Sequence, residues 1–194
     1  MPILPRQRDI YPADLLDGPA AGVTAATPAG DDRGRRWVAF YTLSRREKDL
    51  MRKLEAGGVA FYAPLVCRRL RSAGDRTRVS HVPLFPGYVF SVVDDDQRRF
   101  ALGTQTVSRC LVVPDAASLC DDLRTIKRLI DSEHPLTPEA RIESGQPVRI
   151  RSGPLRGLEG AVVRRRGEQR LVVAVRFLNQ GASLELEDVD LERL

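Results

Sequence analysis

Cysteine and histidine are the residue types of this chain best suited to metal binding or to nucleophilic catalysis, and they are few and scattered. The cysteines are Cys67, Cys110 and Cys120, and the histidines are His81 and His134. A zinc site needs ligands at short, paired spacing, which this set lacks. The chain also offers no nucleophile paired with a base in a known motif and no cofactor-binding loop. The sequence therefore predicts neither an enzyme nor a metal or other cofactor.

A glycine-rich segment, residues 153–160 (GPLRGLEG), is the other place where chemistry is conceivable. A phosphate-binding loop would need Gly-Lys-Ser/Thr leading into a helix, whereas Gly160 leads into the strand-forming residues 161–163. Glycines of this kind permit tight turns and close approach of strands. We interpret Gly153, Gly157 and Gly160 as structural residues of a small β-domain.

The elements around these residues predict an α+β fold with two domains. Residues 37–43 are β-branched and aromatic, as in a central strand. Ser44 to Glu47 has the spacing of a capping box, so a helix is expected from Ser44 to the stop at Gly57-Gly58. Further strands and helices alternate after it and predict an α/β sandwich whose sheet is mostly antiparallel. The further strands are expected at 59–65, 87–93 and 107–113, and the further helices after Asp94 and after Asp115.

Proline and other turn residues, together with composition, divide the rest of the chain into a tail, a linker and two domains. Residues 1–34 contain five Pro, four Gly and six Ala and predict a flexible tail, with a short local contact through Ile10, Tyr11, Leu15 and Leu16 as the alternative. The first domain then covers 35–132, and residues 133–142 form a linker. Residues 143–194 contain short strands separated by turn residues, which predict a small SH3-like β-barrel.

Charge is concentrated in the first domain of a chain whose formal net charge is +5. Residues 35–133 carry 18 Lys and Arg against 12 Asp and Glu, whereas residues 143–194 carry 9 against 8. This excess favours a polyanionic partner or an acidic protein surface, and solubility alone explains it equally well. The longest apolar runs are too short to span a bilayer, and the N-terminus lacks signal-peptide order. We expect a cytoplasmic protein with no membrane partner.

Two motifs in this order carry a family resemblance. Residues 83–90 (PLFPGYVF) and residues 153–160 together resemble the NusG family of transcription elongation factors, which have an N-terminal NGN domain and a C-terminal KOW domain. The resemblance covers residues 36–194. The pattern of residues 83–88 and the arginine-rich segment 68–78 are more similar to RfaH-like specialised paralogues than to the housekeeping member.

The resemblance implies binding to RNA polymerase and suppression of pausing or termination. In NusG-like proteins, an apolar pocket on the NGN domain binds the clamp helices of the β′ subunit. The residues of this chain that match the pocket are Tyr41, Phe85, Tyr88 and Phe90. By residue type alone, a buried core cluster explains these rings as well. The resemblance also places Arg98 and Arg99 in the region that contacts the polymerase β subunit, although the His-Thr-Thr signature used there is absent.

Other basic residues are candidates for nucleic-acid binding. Arg45, Arg46 and Lys53 match the region where RfaH approaches non-template DNA, but the base-reading residues of RfaH are not reproduced. Arg69, Arg71 and Arg76 belong to a predicted hairpin that is suited to upstream DNA, to nascent RNA or simply to solvent. On the barrel, Arg164 and Arg165 in a predicted turn and Leu178 in a predicted loop are candidates for binding a partner, because loops often carry function. In relatives, the residue that matches Leu178 belongs to a patch that contacts a ribosomal protein or the termination factor Rho.

The sequence leads to three further expectations, about the fold of the C-terminal domain, the oligomeric state and the alternative function. The run 171–177 is rich in β-branched residues, so we expect a constitutive barrel rather than a helical hairpin. We also expect a monomer. The alternative function is that of an RNA-binding or ribosome-associated KOW protein, against which the near-neutral charge of the barrel argues.

Overall fold

The computed structural model describes residues 7–17, 34–71, 77–132, 134, 136–139, 145–153, 155–165, 168–185 and 191–194. At residues 69–71, 77–78, 164–165 and 168–169 it describes the backbone alone. The chain divides into two compact units, Met1–Ala116 and Ala117–Leu194.

A five-stranded antiparallel sheet forms the centre of the first unit. Its strands are β1 (Ile10–Tyr11), β2 (Arg36–Thr42), β3 (Ala60–Tyr62), β6 (Tyr88–Val93) and β7 (Val107–Val112), in the order β1-β3-β6-β2-β7. Between β3 and β6, strands β4 (Leu65–Arg71) and β5 (Thr77–Pro83) pair as a separate two-stranded hairpin. Residues 72–76, the predicted tip of that hairpin, lie outside the described residues. The predicted α+β class and the antiparallel sheet are confirmed.

Alternation along the strands sends side chains to two different faces of this sheet. On one face, Val38, Phe40 and Val89 join a buried cluster with apolar residues of helices α1 (Glu47–Ala56) and α2 (Asp95–Gly103). The helix residues of the cluster are Leu50, Met51, Leu54 and Ala101. Both helices are thus held by their apolar residues against one face of the sheet. The residues of the other face alternate with these in sequence and include the aromatic rings of the PLFPGYVF segment.

The start of α2 agrees with the sequence pattern. The Asp94 carboxylate accepts a hydrogen bond from the Gln97 backbone N–H at 2.8 Å, and the Gln97 side chain accepts one from the Asp94 N–H at 3.2 Å. This reciprocal arrangement satisfies two backbone donors that the first turn of a helix leaves free. It fixes the point at which the chain leaves β6.

Part of the predicted tail is ordered, which corrects the expectation of flexibility for residues 7–17. Ile10 and Tyr11 pair with the backbone of β3, and Leu16 is buried. The Gln7 amide donates to the Lys48 carbonyl oxygen at 2.9 Å. The alternative of a short contact through Ile10, Tyr11, Leu15 and Leu16 is the one observed. Composition favoured a flexible tail because only two residues pair, and the edge of β3 supplies the partner for their backbone groups.

The second unit combines helix α3 (Ala116–Asp131) with a six-stranded antiparallel sheet. The strand order is β13-β9-β10-β11-β12-β8. This sheet is of the barrel-like kind expected for residues 143–194. The unit begins earlier than the domain predicted from the sequence, because α3 is grouped with it. Its strands are β8 (Thr137–Glu139), β9 (Gln146–Ile150), β10 (Glu159–Arg165), β11 (Glu168–Val175), β12 (Gln180–Glu185) and β13 (Leu191–Arg193).

Strand β8 lies within the predicted linker, residues 133–142, and corrects that expectation for Thr137–Glu139. It pairs with the edge of β12, and the Ser183 hydroxyl donates to the buried Glu139 carboxylate at 2.6 Å. The Arg170 guanidinium donates to the Thr137 hydroxyl at 2.8 Å. These polar contacts hold a segment that has no hydrophobic period, so the sequence pattern did not predict a strand.

The described part of the chain contains no helix that is long and apolar enough to cross a membrane. Within the same residues, no group of three or more His, Cys, Asp or Glu side chains is arranged to hold a metal ion.

Candidate functional site

Two tyrosines form an exposed aromatic pair on the face of the first sheet that lies opposite to α1 and α2. Tyr41 on β2 and Tyr88 on β6 are directly opposed in the antiparallel register. Their ring centroids are 5.1 Å apart with the planes tilted by 56°, a favourable geometry for aromatic rings. Tyr41 is 40% exposed, and Tyr88 is partly exposed. The pair therefore offers apolar ring surface together with two hydroxyl groups to a partner.

The other two predicted pocket residues are buried. Phe85 is 1% exposed and Phe90 is 0% exposed, and their rings meet edge to face with centroids 6.2 Å apart. The structure thus divides the predicted set of four rings. Tyr41 and Tyr88 are accessible to a partner, whereas Phe85 and Phe90 belong to the core, as the alternative reading of residue types allowed.

Gly87 joins the two tyrosines to the turn between β5 and β6. Its φ of +87° is a conformation that side chains other than glycine rarely adopt. A Cβ atom at this position would lie 2.9 Å from Cε2 of Tyr41, so the ring of Tyr41 covers the glycine. The Gly87 carbonyl oxygen accepts a hydrogen bond from the Thr42 N–H at 2.8 Å. The glycine is therefore required both by the backbone and by the position of the Tyr41 ring.

Glu47, the first residue of α1, holds the same glycine from the other side. Its Oε1 atom accepts a hydrogen bond from the Gly87 N–H at 2.7 Å. The predicted capping box from Ser44 to Glu47 is wrong, because the N-cap is Arg46 and no side chain caps this helix end. The largely buried Glu47 carboxylate instead satisfies the backbone N–H of Gly87, and a charged acceptor makes a stronger hydrogen bond than a neutral one.

The three cations predicted at the edge of α1 differ in their surroundings. Arg46 and Lys53 lie 3.4 Å and 3.3 Å from the carboxylate of Asp49. The Lys53 ammonium also donates to the Thr104 carbonyl oxygen at 3.0 Å. Arg45 makes no ion pair within the described part of the chain, and its φ of +60° is unusual for a residue with a side chain. Arg45 is thus the most available cation of the three.

The two arginines predicted on α2 are held by acidic residues of the same helix. The Arg98 Nε atom lies 3.9 Å from Asp95 Oδ1, and the Arg99 guanidinium pairs with Asp96. The Arg99 pair is exposed and contributes little to stability, so this guanidinium can exchange its carboxylate for that of a partner. Arg98 is only partly exposed and its Nε atom is buried, so it is less available. Arg98 also faces the Cys110 thiol. Burial raises the pKa of Cys110, although Arg98 and Arg36 act in the opposite direction.

Residues 35–129 match the protein family described as NusG, transcription termination factor nusG. They form a NusG-family domain. The resemblance drawn from the sequence is thereby confirmed over this range. Comparison of the chain with curated proteins found no match.

The NusG-family domain contains the tyrosine pair, Gly87, Glu47 and the basic residues of α1 and α2. Members of this family are non-enzymatic transcription factors that bind RNA polymerase. In general terms, the domain makes this protein a transcription elongation or termination factor. Among the rings on the described strands of this face, Tyr41 and Tyr88 are exposed or partly exposed, whereas Trp37 and Phe90 are buried.

The remaining predicted nucleic-acid residues are Arg69, Arg71 and Arg76. Arg69 and Arg71 belong to β4, for which the structure describes the backbone at these positions. Arg76 lies outside the described residues. Their roles stay predictions.

Of the candidates on the C-terminal sheet, Leu178 is partly exposed at the end of a short 3-10 helix, Arg176–Leu178, after β11. Asn179 follows in the left-handed conformation and returns the chain into β12. Arg164 and Arg165 lie in β10, and the structure describes only the backbone of these two residues. The Leu178 turn is therefore the candidate partner surface that the structure defines.

The glycines of the GPLRGLEG segment have different geometries. Gly153 and Gly157 both have φ of +80°. Gly160 has an ordinary backbone, but a Cβ atom there would lie 2.7 Å from the Val172 carbonyl oxygen on the paired strand β11. The first two glycines form turns, and the third permits two strands to approach closely.

Sequence reasoning missed two residues that organise these surfaces. Glu47 was assigned to a capping box, although its acceptor role depends on a glycine 40 residues away. Asp122 on α3 received no role, yet its carboxylate accepts hydrogen bonds from both the backbone and the guanidinium of Arg176. The sequence signal in both cases was an acidic residue three or four positions from the apolar residues of a predicted helix face, where burial is expected.

Proposed function

We propose that this protein is a transcription elongation or antitermination factor that binds the β′ clamp helices of RNA polymerase through Tyr41 and Tyr88. The observation that carries the proposal is the exposed tyrosine pair on a NusG-family domain, beside a turn that Gly87 and Glu47 fix. The protein acts as a monomer in the cytoplasm and needs no cofactor.

The chemistry of the pair fits a helical partner. Tyrosine rings provide a large contact area and lose little conformational entropy when they are buried. Tyr41 and Tyr88 stand side by side on neighbouring strands, so an apolar ridge of a helix can lie against both rings. Phe85 and Phe90 support the strand and turn from the core and do not contact the partner.

Suppression of pausing follows from differential binding. A factor that binds the closed, elongating state of the polymerase clamp more tightly than the paused state increases the population of the elongating state. A tenfold difference in affinity between the two states corresponds to about 1.4 kcal/mol, which a few well-packed aromatic contacts supply. Chemical groups that react with the nucleic acid are not required.

The C-terminal sheet has the role of a KOW domain in this proposal. Its Leu178 turn presents a partly exposed apolar side chain beside Arg176, a mixed surface suited to a second protein such as a ribosomal protein or Rho. Arg98 and Arg99 contribute a second polymerase contact on α2. Arg45 contributes a cation toward the DNA or RNA that leaves the enzyme.

A transcription assay tests this function. The full-length protein is added to elongation complexes formed by core RNA polymerase of the same organism, and the lifetime of a defined pause is measured. The wild type is expected to shorten the pause, whereas Tyr88→Ala has no effect. Val112→Ala is the matched control, because Val112 is an apolar residue of β7 that is 58% exposed and belongs neither to the tyrosine pair nor to the proposed contact on α2. An unchanged pause with the wild type, or full activity of folded Tyr88→Ala, contradicts the proposal.

A further inference from the structure

Glu47 connects the first turn of α1 to the aromatic surface. Although it is a carboxylate, it is only 8% exposed. The first turn of a helix favours negative charge. The Oε1 atom of Glu47, however, accepts a hydrogen bond from outside the helix, from the Gly87 N–H at 2.7 Å. A charged acceptor of this kind makes a stronger hydrogen bond than a neutral one.

The Gly87 residue is held at both of its polar backbone atoms. Glu47 accepts from its N–H, and the Thr42 N–H donates to its carbonyl oxygen at 2.8 Å. The turn is closed by a hydrogen bond of 3.1 Å from the Tyr88 N–H to the Phe85 carbonyl oxygen. The direction in which the chain enters β6 is therefore fixed by contacts from α1 and from β2.

This fixed glycine determines where the two tyrosine rings lie. The Tyr41 ring covers Gly87 so closely that a Cβ atom there would lie 2.9 Å from Cε2 and 3.4 Å from Cδ2. Tyr88 is the next residue in the chain, and its ring centroid is 5.1 Å from that of Tyr41. A shift of the Gly87 peptide would therefore move the backbone against which the Tyr41 ring packs. It would also move the backbone that carries the Tyr88 side chain.

We propose that Glu47 is a positioning residue for polymerase binding: its carboxylate fixes the Gly87 peptide and thereby sets the geometry of the Tyr41 and Tyr88 rings that contact the partner. This inference rests on the proposed function of the tyrosine pair. Glu47 itself does not touch the polymerase. Glu47 affects the affinity indirectly, by fixing the position of Gly87.

The test compares three substitutions of α1 carboxylates in the full-length protein. Glu47→Ala removes the acceptor, Glu47→Gln keeps an acceptor oxygen, and Glu55→Ala removes a carboxylate of the same helix that pairs with Arg8 and not with the turn. The readouts are the affinity for core RNA polymerase, hydrogen exchange of the Gly87 amide, and the chemical shifts of the Gly87 α-protons under the Tyr41 ring.

We expect Glu47→Ala to weaken polymerase binding by up to about tenfold, because binding must then order the Gly87 turn that the hydrogen bond holds in the wild type. Its Gly87 amide should exchange faster, and its α-protons should lose the ring-current shift. Glu47→Gln should retain most of the affinity and of the protection, and Glu55→Ala should behave as the wild type. The positioning role is overturned if Glu47→Ala folds and its Gly87 amide exchanges faster than in the wild type, but its affinity for core RNA polymerase is unchanged.

Gly87→Ala tests the same inference by a second route, because its methyl group displaces the Tyr41 ring while Glu47 is unchanged. A loss of affinity in folded Gly87→Ala supports the link between this glycine and the rings, and unchanged affinity overturns the inference. If Glu47→Ala does not fold, Glu47→Asp replaces it, because its shorter side chain withdraws the acceptor from the Gly87 N–H: weaker binding supports the inference, and unchanged affinity with a faster-exchanging Gly87 amide overturns it. Tyr88→Ala separates the two proposals. If Tyr88→Ala binds normally, the proposed function fails, whereas loss in Tyr88→Ala without loss in Glu47→Ala rejects the positioning role alone.

Discussion

The Asp122 carboxylate on α3 accepts hydrogen bonds from both the backbone and the guanidinium of Arg176, 54 residues later in the chain. The backbone N–H donates to Oδ2 at 2.8 Å, and Nη2 donates to Oδ1 at 2.9 Å. The Asp122 side chain is only 10% exposed, whereas that of Arg176 is mostly exposed. Because Arg176 begins the 3-10 helix that ends at Leu178, the pair fixes α3 to the candidate partner surface.

Asp122→Ala is expected to destabilise the full chain more than Arg176→Ala does. The first substitution leaves the backbone N–H of Arg176 without its acceptor, at a cost of about 1–3 kcal/mol, whereas the second retains that bond. Since solvent screens the guanidinium, the coupling between the two side chains should be about 1 kcal/mol in a double-mutant cycle. Urea unfolding measures all four free energies. Equal costs, or strictly additive ones, contradict the arrangement.

Arg45→Gly is expected to stabilise the protein relative to Arg45→Ala. A side chain in the left-handed conformation costs about 1 kcal/mol, which glycine avoids. Both substitutions remove the cation, so the difference between them reports the backbone alone. The free energies of unfolding in urea should therefore differ by about 1 kcal/mol or somewhat less. A more stable Ala variant would show that the turn does not adopt this conformation.

The same two variants also test the nucleic-acid prediction. If Arg45 contacts a phosphate, both variants should reduce the slope of log K against log salt concentration by about 0.7 for single-stranded DNA. Arg52→Ala is the control on α1, because its guanidinium lies beside Asp49. An unchanged slope in both Arg45 variants would remove this residue from the nucleic-acid surface.

The strands and helices of the NusG-family domain were largely predictable because their signals are local. The apolar run of β2, the helical spacing of α1 and the Asp94 cap all operate within a few residues. The exposure of individual rings was not predictable in this way. Alternation places Tyr88 and Phe90 on one face, and only the folded structure reveals that the first is accessible and the second is buried.

Contacts between distant segments account for the remaining errors. The bond from Gly87 to Glu47 joins residues 40 positions apart, and it replaced a predicted local cap. Strand β8 forms because the buried Glu139 side chain meets Ser183 on β12. No periodicity of a three-residue segment encodes such a partner.

Gly160→Ala is expected to destabilise the C-terminal sheet more than Gly153→Ala does. The added methyl group at Gly160 would meet the Val172 carbonyl oxygen at 2.7 Å, and the paired backbone has little freedom to move. Overpacking of this kind costs about 1–3 kcal/mol. At Gly153 no atom lies within 4 Å of the added carbon, so only the strain of its φ remains. Urea unfolding followed by circular dichroism checks the order, and the reverse order would contradict the strand register.

Acid should remove the stabilising effect of Asp49. Burial raises the pKa of this carboxyl, but hydrogen bonds and charges from Lys53 and Arg52 outweigh it and lower the pKa below the ordinary value of 3.8. A lowered pKa in the folded state stabilises the protein above the unfolded value, and this effect disappears as the pH falls through the folded value. The difference in melting temperature between the wild type and Asp49→Asn should be constant from pH 7 to about pH 5 and should shrink below about pH 4. A difference that grows on acidification contradicts this sign.

The dissociation constant of the full-length protein for core RNA polymerase, measured for the wild type, Tyr88→Ala and Val112→Ala, tests the central claim most directly. Tyr88→Ala should bind at least about tenfold more weakly, because loss of a central aromatic anchor costs more than about 1.4 kcal/mol. Val112→Ala should bind as the wild type does, because this exposed side chain on β7 lies outside both proposed polymerase contacts. Equal affinities of the wild type and a folded Tyr88→Ala variant would contradict the claim that the tyrosine pair is the polymerase contact.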